Sequence, residues 1–397
     1  MTKLFQIYTL GCRTNQYESQ GFRNQLQAMG YTSTDVSENA DICIVNTCTV
    51  TESAHKQSIH DVKKLVQRGI KVVVTGCAAE KSPEQFSGAI VVGNEHKEKL
   101  LETVFPDLEI PEFKINNFEA HTRAFVKVQD GCNSFCTYCI IPYVRGRSRS
   151  RPLEDIIKEV EALVANGYKE VVLTGINIGD FTPSLTELVR AVDKVEGLKR
   201  LRLSSIDPDE VGPDLQEALL TGKNTCPSLH LVLQSGSNVI LKRMNRKYTR
   251  QIFRETVERL IKTSPDFTFT TDVIVGFPGE TEEDHKETLD LIKEVSFAKV
   301  HMFPYSEREG TRAVLFPGKV PPAIISRRKG EIMQAAEKAA YALRERYVGR
   351  RMVILTENGE GGHTENFLSV LFKAEPNQEI PVILTKNGPK GLSCALV

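Results

Sequence analysis

Three cysteines lie close together in the stretch DGCNSFCTYC, which runs from residue 130 to residue 139. Cys132, Cys136 and Cys139 are spaced as Cys-x3-Cys-x2-Cys. A structural zinc site takes four ligands and is commonly built from Cys-x2-Cys pairs, but neither a second pair nor a histidine lies next to this stretch. Three thiolates on a tight loop with a glycine at Gly131 instead suit a 4Fe–4S cluster in which one iron has no protein ligand. Such an iron is open to a substrate.

Three more cysteines each follow directly after an apolar run: YTLGC ends at Cys12, IVNTC at Cys48 and VVTGC at Cys77. The runs are typical of parallel strands buried on both faces, and helical patterns separate them. Because the carboxyl ends of parallel strands share one edge of a sheet, we expect these thiols to meet in space. The alternative is that they are unrelated core cysteines, since free Cys is often buried as a small hydrophobe. Packing is the expected role of the other cysteines, Cys43, Cys226 and Cys394.

The composition is that of a globular protein without a global charge. A chain of 397 residues is too long for one ordinary core, so two or three domains are expected. Lys and Arg number 51, as do Asp and Glu, so no overall field draws the molecule to nucleic acid or to a membrane. Without a signal-like or membrane-spanning apolar run, we expect a cytoplasmic monomer that does not bind membranes. In that compartment nine cysteines favour metal or redox chemistry over disulfides.

The pattern of apolar runs divides this α/β chain into three domains. Residues 1–115 alternate strands and helices and predict an amino-terminal parallel-sheet domain. Residues 118–348 repeat a strand-then-helix unit six times, which predicts a partly open (β/α)6 barrel with DGCNSFCTYC after its first strand. Within it, one helix is expected from Val239 to Thr263 and a charged closing helix from Ala323 to Tyr347. Residues 349–397 have short strands between Gly, Asn and Pro turns and predict a small antiparallel β-barrel.

Polar residues follow several of the barrel strands. Ligands of such barrels are held at the carboxyl ends of the strands, although any one of these residues could equally form a turn or cap a helix. The candidate ligand contacts are Thr174, Gly175, Asn177, Ser204, Ser205, Asp207, Gln234, Ser235 and Asp272.

Two local basic runs stand out against the neutral whole. They could be solvated surface, or they could contact phosphate groups beside the cluster. The first run comprises Arg145, Arg147, Arg149 and Arg151, and the second Lys242, Arg243, Arg246, Lys247 and Arg250. We expect Arg145, Arg147, Arg149 and Arg246 to bind substrate.

The segment CNSFCTYC resembles the cluster-binding loop of the radical S-adenosylmethionine (SAM) enzymes. The resemblance implies that the amino and carboxylate groups of SAM bind the open iron and that SAM is cleaved to a 5′-deoxyadenosyl radical. Tyr138 is similar to the aromatic residue that lies near the adenine in that family. The residues to which the resemblance assigns SAM contacts are Tyr138, Thr174, Asn177, Ser205, Asp207, Gln234 and Asp272.

Four segments together resemble the methylthiotransferases, and the resemblance extends over essentially the whole chain. They are GCRTNQYES from Gly11, VNTCTVTESA from Val45, TGCAAE from Thr75, and CNSFCTYCIIPYVRGRSRSRP from Cys132. The resemblance implies a second 4Fe–4S cluster on Cys12, Cys48 and Cys77, again with one open iron, so that all six cysteines are catalytic. It also implies that one SAM methylates a sulfur on this cluster, while a second SAM provides the radical that activates a substrate C–H bond.

The substrate is expected to be a tRNA. Arg13-Thr14-Asn15 is similar to the branch that acts on N6-threonylcarbamoyladenosine, beside the anticodon, whereas the isopentenyladenosine branch has Gln-Met-Asn and the branch acting on a ribosomal-protein aspartate has Pro-Lys-Asn. The carboxyl-terminal barrel resembles the TRAM domain, an RNA-binding module in many proteins, but it lacks a net basic charge and a row of aromatics for stacking. An electron donor similar to flavodoxin or ferredoxin and a sulfur source are the further partners implied. A non-catalytic iron–sulfur RNA-binding protein remains the alternative class.

Overall fold

The computed structural model describes residues 3–118, 122–357 and 359–397 and confirms the predicted α/β architecture. The amino-terminal part is a five-stranded sheet in which every pairing is parallel, with the strand order β2-β1-β3-β4-β5. Its strands are β1 (Lys3–Thr9), β2 (Tyr31–Ser33), β3 (Ile42–Thr47), β4 (Val72–Gly76) and β5 (Ile90–Val91). Its helices are α1 (Arg13–Ala28), α2 (Glu52–Gln67), α3 (Cys77–Lys81) and α4 (Leu100–Val104).

The continuous apolar runs form the centre of this sheet. Every residue of β3 and β4 is buried, because helices cover both faces. One face packs with Phe22 and Leu26 of α1, and the other packs with Val62 and Leu65 of α2. Since β1, β3 and β4 are neighbours, their carboxyl ends lie side by side at one edge.

The central part contains six parallel strands in two three-stranded sheets, ordered β10-β9-β6 and β11-β12-β13. Isolated bridges, including Ile206 to Leu231, join the two sheets. No pairing within the described residues connects β6 to β13, so the barrel is open on one side, as expected. The six strands are β6 (Arg123–Lys127), β9 (Glu170–Thr174), β10 (Arg200–Leu203), β11 (Ser228–His230), β12 (Thr268–Val275) and β13 (Lys299–Pro304). Two short strands, β7 (Gln129–Asp130) and β8 (Arg149–Ser150), form a separate antiparallel pair. The helices are α5 (Ile141–Val144), α6 (Leu153–Ala165), α7 (Leu185–Asp193), α8 (Pro213–Thr221), α9 (Asn238–Arg243), α10 (Arg250–Thr263), α11 (Glu282–Val295) and α12 (Pro322–Glu345).

The single helix predicted from Val239 to Thr263 is wrong, because the chain breaks into α9 and α10. Asn245 adopts a left-handed conformation with φ +61°, which a helix interior does not permit. The hydroxyl of Thr249 accepts a hydrogen bond from the backbone N–H of Ile252 and starts the second helix. The intervening turn carries Arg246 toward the cysteine loop.

The carboxyl-terminal part is a closed five-stranded barrel that is mixed, where a wholly antiparallel one was expected. Four of its strand pairings are antiparallel, but β16 runs parallel to β18. The strands are β14 (Arg351–Glu357), β15 (Gly361–Thr364), β16 (Ser369–Leu371), β17 (Glu379–Gly388) and β18 (Gly391–Leu396). This barrel is docked on the central one: the guanidinium of Arg202 donates to the backbone carbonyls of Thr364 and Glu365. Within the described chain, every helix is too short or too polar to cross a membrane.

Candidate functional site

The three amino-terminal cysteines follow three adjacent strands, as the sequence predicts. Cys12 precedes α1, Cys48 follows β3, and Cys77 begins α3 directly after β4. Gly11 adopts φ +95°, and a Cβ there would lie 2.8 Å from the Sγ of Cys48. Glycine is therefore required at this position, where the backbone before Cys12 passes against the Cys48 thiol. Cys48 and Cys77 are buried, whereas Cys12 is exposed.

The thiols of this triad influence one another. Burial, together with smaller effects of the neighbouring thiols of Cys77 and Cys12, raises the pKa of Cys48 to about 11. Within the described residues, no three His, Cys, Asp or Glu side chains are arranged to hold a single metal ion. Thiolates that bind separate irons of a cluster lie farther apart than the ligands of one ion, so three soft ligands at one sheet edge fit a 4Fe–4S cluster better than zinc.

The DGCNSFCTYC loop is held by its neighbours in a compact conformation. Gly131 has φ +72°, and a Cβ there would lie 2.1 Å from the backbone oxygen of Arg147. The backbone N–H and the hydroxyl of Thr137 donate to the carbonyls of Met244 and Arg243, at 3.0 and 2.8 Å. Burial raises the pKa of Cys139 to about 12. A protonated thiol must therefore give up its proton when it binds iron.

Three of the predicted contact residues come together against Cys136. The Nη1 of Arg246 donates to the Sγ of Cys136 at 3.0 Å, and its Nη2 donates to the carboxylate of Asp207. Asn177 lies beside them, since its side-chain amide donates to Glu210 at 3.0 Å, and Glu210 accepts from the backbone N–H of Asp207. The side chain of Arg246 is 6% exposed. Arg246, which was predicted to bind substrate, therefore contacts the cysteine loop. The break between α9 and α10 makes this contact possible.

The other predicted SAM contacts are more scattered. Tyr138 packs edge-on against Phe277, with ring centres 6.3 Å apart. Gln234 has φ +60°, and its backbone N–H donates to the carbonyl of Asp272 at 2.8 Å. The carboxylate of Asp272 lies 3.4 Å from the Nε2 of His230. Thr174 is buried at the end of β9, and Ser205 is partly exposed just after β10. Four of them lie at or beyond the carboxyl ends of barrel strands or in the cysteine loop, whereas Asp272 lies within β12, three residues before its end.

Arg145 does not fit its predicted role as a phosphate contact, because it is buried and fully hydrogen-bonded within the protein. Its Nε donates to the Sγ of Cys77 at 3.3 Å, and its Nη2 donates to the side-chain oxygen of Asn15 at 2.6 Å. Its Nη1 donates to Glu18 at 3.1 Å and to Asp130 at 2.9 Å. Arg145 therefore connects the amino-terminal sheet to the central barrel.

The acidic partners of Arg145 were not predicted from the sequence. Glu18 is 1% exposed and also lies 2.5 Å from the Nζ of Lys97. Burial opposes its ionisation, but Arg145, Lys97 and Lys127 together hold the pKa of Glu18 well below its usual range. Asn15 and Glu18 are three residues apart and therefore lie on one face of α1. This spacing is the sequence signal that could have identified them as partners of a common side chain.

One cysteine of the first triad makes a hydrophobic contact with the segment that follows the second triad. Cys77 packs in one buried cluster with Ile140 and Val144, which follow directly after the DGCNSFCTYC loop. Arg147 and Arg149 remain exposed near this junction, consistent with the predicted contact to a polyanion. The guanidinium of Arg147 lies 4.4 Å from the centre of the Phe135 ring within the cysteine loop.

Comparisons with known proteins agree with this arrangement. Residues 126–292 match the radical SAM superfamily, and residues 4–93 match the uncharacterized protein family UPF0004. Over 93% of this chain and 91% of the relative, the sequence is 47% identical to the threonylcarbamoyladenosine tRNA methylthiotransferase MtaB of Chlamydia pneumoniae. It is 37% identical to the tRNA-2-methylthio-N(6)-dimethylallyladenosine synthase of Carboxydothermus hydrogenoformans, over 89% of this chain and 88% of that protein.

Among solved structures, the radical S-adenosylmethionine methyltransferase TsrM from Kitasatospora setae superposes with a TM-score of 0.56. The match covers 88% of this chain and 77% of that one at 16% identity, so it bears on the fold alone. The radical SAM superfamily implies a 4Fe–4S cluster and SAM, which fit the loop of Cys132, Cys136 and Cys139. The extent and identity of the matches show that the chain belongs to the methylthiotransferase family of radical SAM enzymes.

Proposed function

We propose that this enzyme adds a methylthio group to C2 of N6-threonylcarbamoyladenosine beside the anticodon of tRNA. The observation that carries the proposal is the juxtaposition of the two thiol triads, with Cys77 packed against the residues that follow Cys139 and hydrogen-bonded to Arg145. Similarity to the Chlamydia pneumoniae protein supports the choice of nucleoside. Isopentenyladenosine in tRNA and a ribosomal-protein aspartate are the alternative substrates.

The amino-terminal triad is proposed to hold a second 4Fe–4S cluster through Cys12, Cys48 and Cys77. When bound, the two clusters and SAM supply the radical that activates the substrate carbon, together with the sulfur and the methyl group that it receives. Since each triad offers three thiolates, one iron of each cluster has no cysteine ligand. All six cysteines thus belong to the catalytic machinery in this proposal.

The residues around Cys136 are proposed to hold SAM. Asn177 and Asp207 offer an amide and a carboxylate at the strand ends, and Arg246 holds Asp207 in place beside the loop. Tyr138 would lie against the adenine. Further contacts are assigned to Thr174, Ser205, Gln234 and Asp272. The exposed Arg147 and Arg149 are proposed to meet tRNA phosphates, which attract guanidinium groups electrostatically.

The proposal extends to organisation and partners. The domains are residues 1–115, 118–348 and 349–397, of which the last is the TRAM-like barrel. The enzyme works as a cytoplasmic monomer on tRNA and receives electrons from a flavodoxin- or ferredoxin-like protein, and a separate donor supplies the sulfur.

Deletion of the gene tests the substrate. The tRNA of a strain lacking the enzyme should lose 2-methylthio-N6-threonylcarbamoyladenosine and accumulate its precursor, as measured by nucleoside mass spectrometry. Complementation with the intact gene should restore the modified nucleoside. Unaltered nucleosides combined with a mass shift in a ribosomal protein would reject a tRNA substrate.

A further inference from the structure

Arg13, the residue after Cys12, reaches from the amino-terminal sheet into the open side of the central barrel. Its guanidinium carbon lies 5.7 Å from the centre of the Phe125 ring on β6. With Lys299 and His301 of β13, it lines a cavity of about 610 Å³. Because β6 and β13 are the two edge strands of the barrel, Arg13 occupies the gap between them.

Arg13 is a half-buried cation without an acceptor. Within the described residues its guanidinium makes neither a hydrogen bond nor an ion pair. The neighbouring arginines, in contrast, form ion pairs. The Nε of Arg123 lies 3.3 Å from the Oε1 of Glu357, and the Nε of Arg202 lies 2.8 Å from the Oε1 of Glu170. Removing a cation from water without giving it an acceptor is costly, so such a position is suited to an anionic ligand.

The two carboxylates with the largest electrostatic effect on Arg13 lie closer to other basic side chains. Asp272 and Glu170 are the acids with an electrostatic effect on Arg13. The carboxylate of Asp272 lies 3.4 Å from the Nε2 of His230, and Glu170 pairs with Arg202. The lining of the cavity contains one acid, Glu337, against five basic residues: Arg13, Arg123, Lys299, Arg344 and Lys390. The cavity therefore favours a small anion over a cation.

We propose that Arg13 binds the carboxylate of the threonylcarbamoyl group and determines the specificity of the enzyme for this nucleoside. The inference rests on the proposed function. The threonine moiety carries a free carboxylate, which both unmodified adenosine and a dimethylallyl group lack. The planar fork of an arginine matches a carboxylate with two parallel hydrogen bonds. Because Cys12 is the adjacent residue, a substituent held by Arg13 would lie within about the length of one arginine side chain from the backbone of Cys12.

Binding of three RNAs to the anaerobically reconstituted holoenzyme tests the proposal. The probes are anticodon stem-loops that carry N6-threonylcarbamoyladenosine, its uncharged carboxamide, or unmodified adenosine. The wild-type protein should bind the carboxylate form at least about tenfold more tightly than the carboxamide, as charged hydrogen bonds in a partly buried site allow. Arg13→Gln should bind the two forms equally, and Arg13→Lys should keep part of the preference.

The matched control is Arg190→Gln on α7, which removes an exposed arginine paired with Glu217. This variant should bind all three RNAs as the wild type does. Full retention of the carboxylate preference in Arg13→Gln would overturn the proposal. The proposal would also be overturned if Arg13→Gln kept its preference among the RNAs but lost affinity for SAM. That result would assign Arg13 to the carboxylate of SAM.

The comparison of carboxylate and carboxamide in the wild-type protein needs no variant, so it can reject the proposal even if Arg13→Gln fails to fold. Equal binding of the two RNAs by a wild-type enzyme that methylthiolates the first would reject the role of Arg13 and leave the proposed function intact. A wild-type enzyme that fails to methylthiolate the first RNA, when supplied with SAM, reductant and sulfide, would reject the proposed function itself.

Discussion

The Nε of Arg145 donates a hydrogen bond to the Sγ of Cys77 at 3.3 Å, and this contact crosses the boundary between the amino-terminal sheet and the central barrel. Arg145 lies a few residues after the second cysteine triad, whereas Cys77 belongs to the first. The same guanidinium is shared with Glu18 on α1 and Asp130 at the base of the cysteine loop. One buried side chain thus connects a thiol of the first triad to the base of the loop that carries the second.

Removal of Arg145 should destabilise the protein strongly. In Arg145→Gln, Glu18 and Asp130 lose their shared cation inside the protein, and breaking a buried ion pair in this way costs about 3–5 kcal/mol. Chemical denaturation of the metal-free protein would measure the loss of unfolding free energy. The exposed Arg147→Gln serves as the control and should change it by less than about 0.5 kcal/mol. Equal stabilities of the two variants would contradict a structural role for Arg145.

Substitution of each cysteine triad should abolish a different part of the reaction. In a variant with Cys12, Cys48 and Cys77 all changed to Ala, about four irons per chain should be lost. SAM cleavage should persist, because the second triad is intact, but methylthiolation should cease. Iron analysis, detection of 5′-deoxyadenosine and nucleoside mass spectrometry measure these three effects. The corresponding change of Cys132, Cys136 and Cys139 should abolish SAM cleavage. Retained methylthiolation in the first variant would refute the division of labour.

The stability of the metal-free protein should depend on Glu210 between about pH 5 and about pH 8. Burial and the nearby Asp207 raise the pKa of Glu210 to about 7. A carboxyl group with a raised pKa in the folded protein stabilises the fold at low pH, where it is protonated in both the folded and the unfolded protein. This contribution to the free energy of unfolding is lost as the pH rises through the pKa of the folded protein. The wild type should therefore lose stability relative to Glu210→Gln over this range, as thermal unfolding would measure.

Glu217→Gln, which removes an exposed carboxylate on α8, is the control for Glu210→Gln and should follow the wild type across the pH range. A stability difference between Glu210→Gln and the wild type that does not change with pH would exclude titration of this carboxyl as the cause.

The sequence alone determined the features that depend on local spacing. Cys132, Cys136 and Cys139 occupy one short loop, so their convergence needs no knowledge of the remaining chain. The meeting of Cys12, Cys48 and Cys77 was also predictable, because parallel strands have a common carboxyl edge. The alternation of strands and helices likewise predicted the open barrel.

The tertiary structure decided which polar side chains are buried and what they touch. Arg145, Arg147 and Arg149 look alike in the sequence, yet Arg145 is enclosed by acids from α1 and β7, while Arg147 and Arg149 face solvent. Arg246 reaches Cys136 because Asn245 breaks a helix that residue periodicity extends without interruption. Arg13 lies in the barrel opening because two domains pack there. Each outcome depends on contacts between residues distant in sequence, which local patterns do not encode.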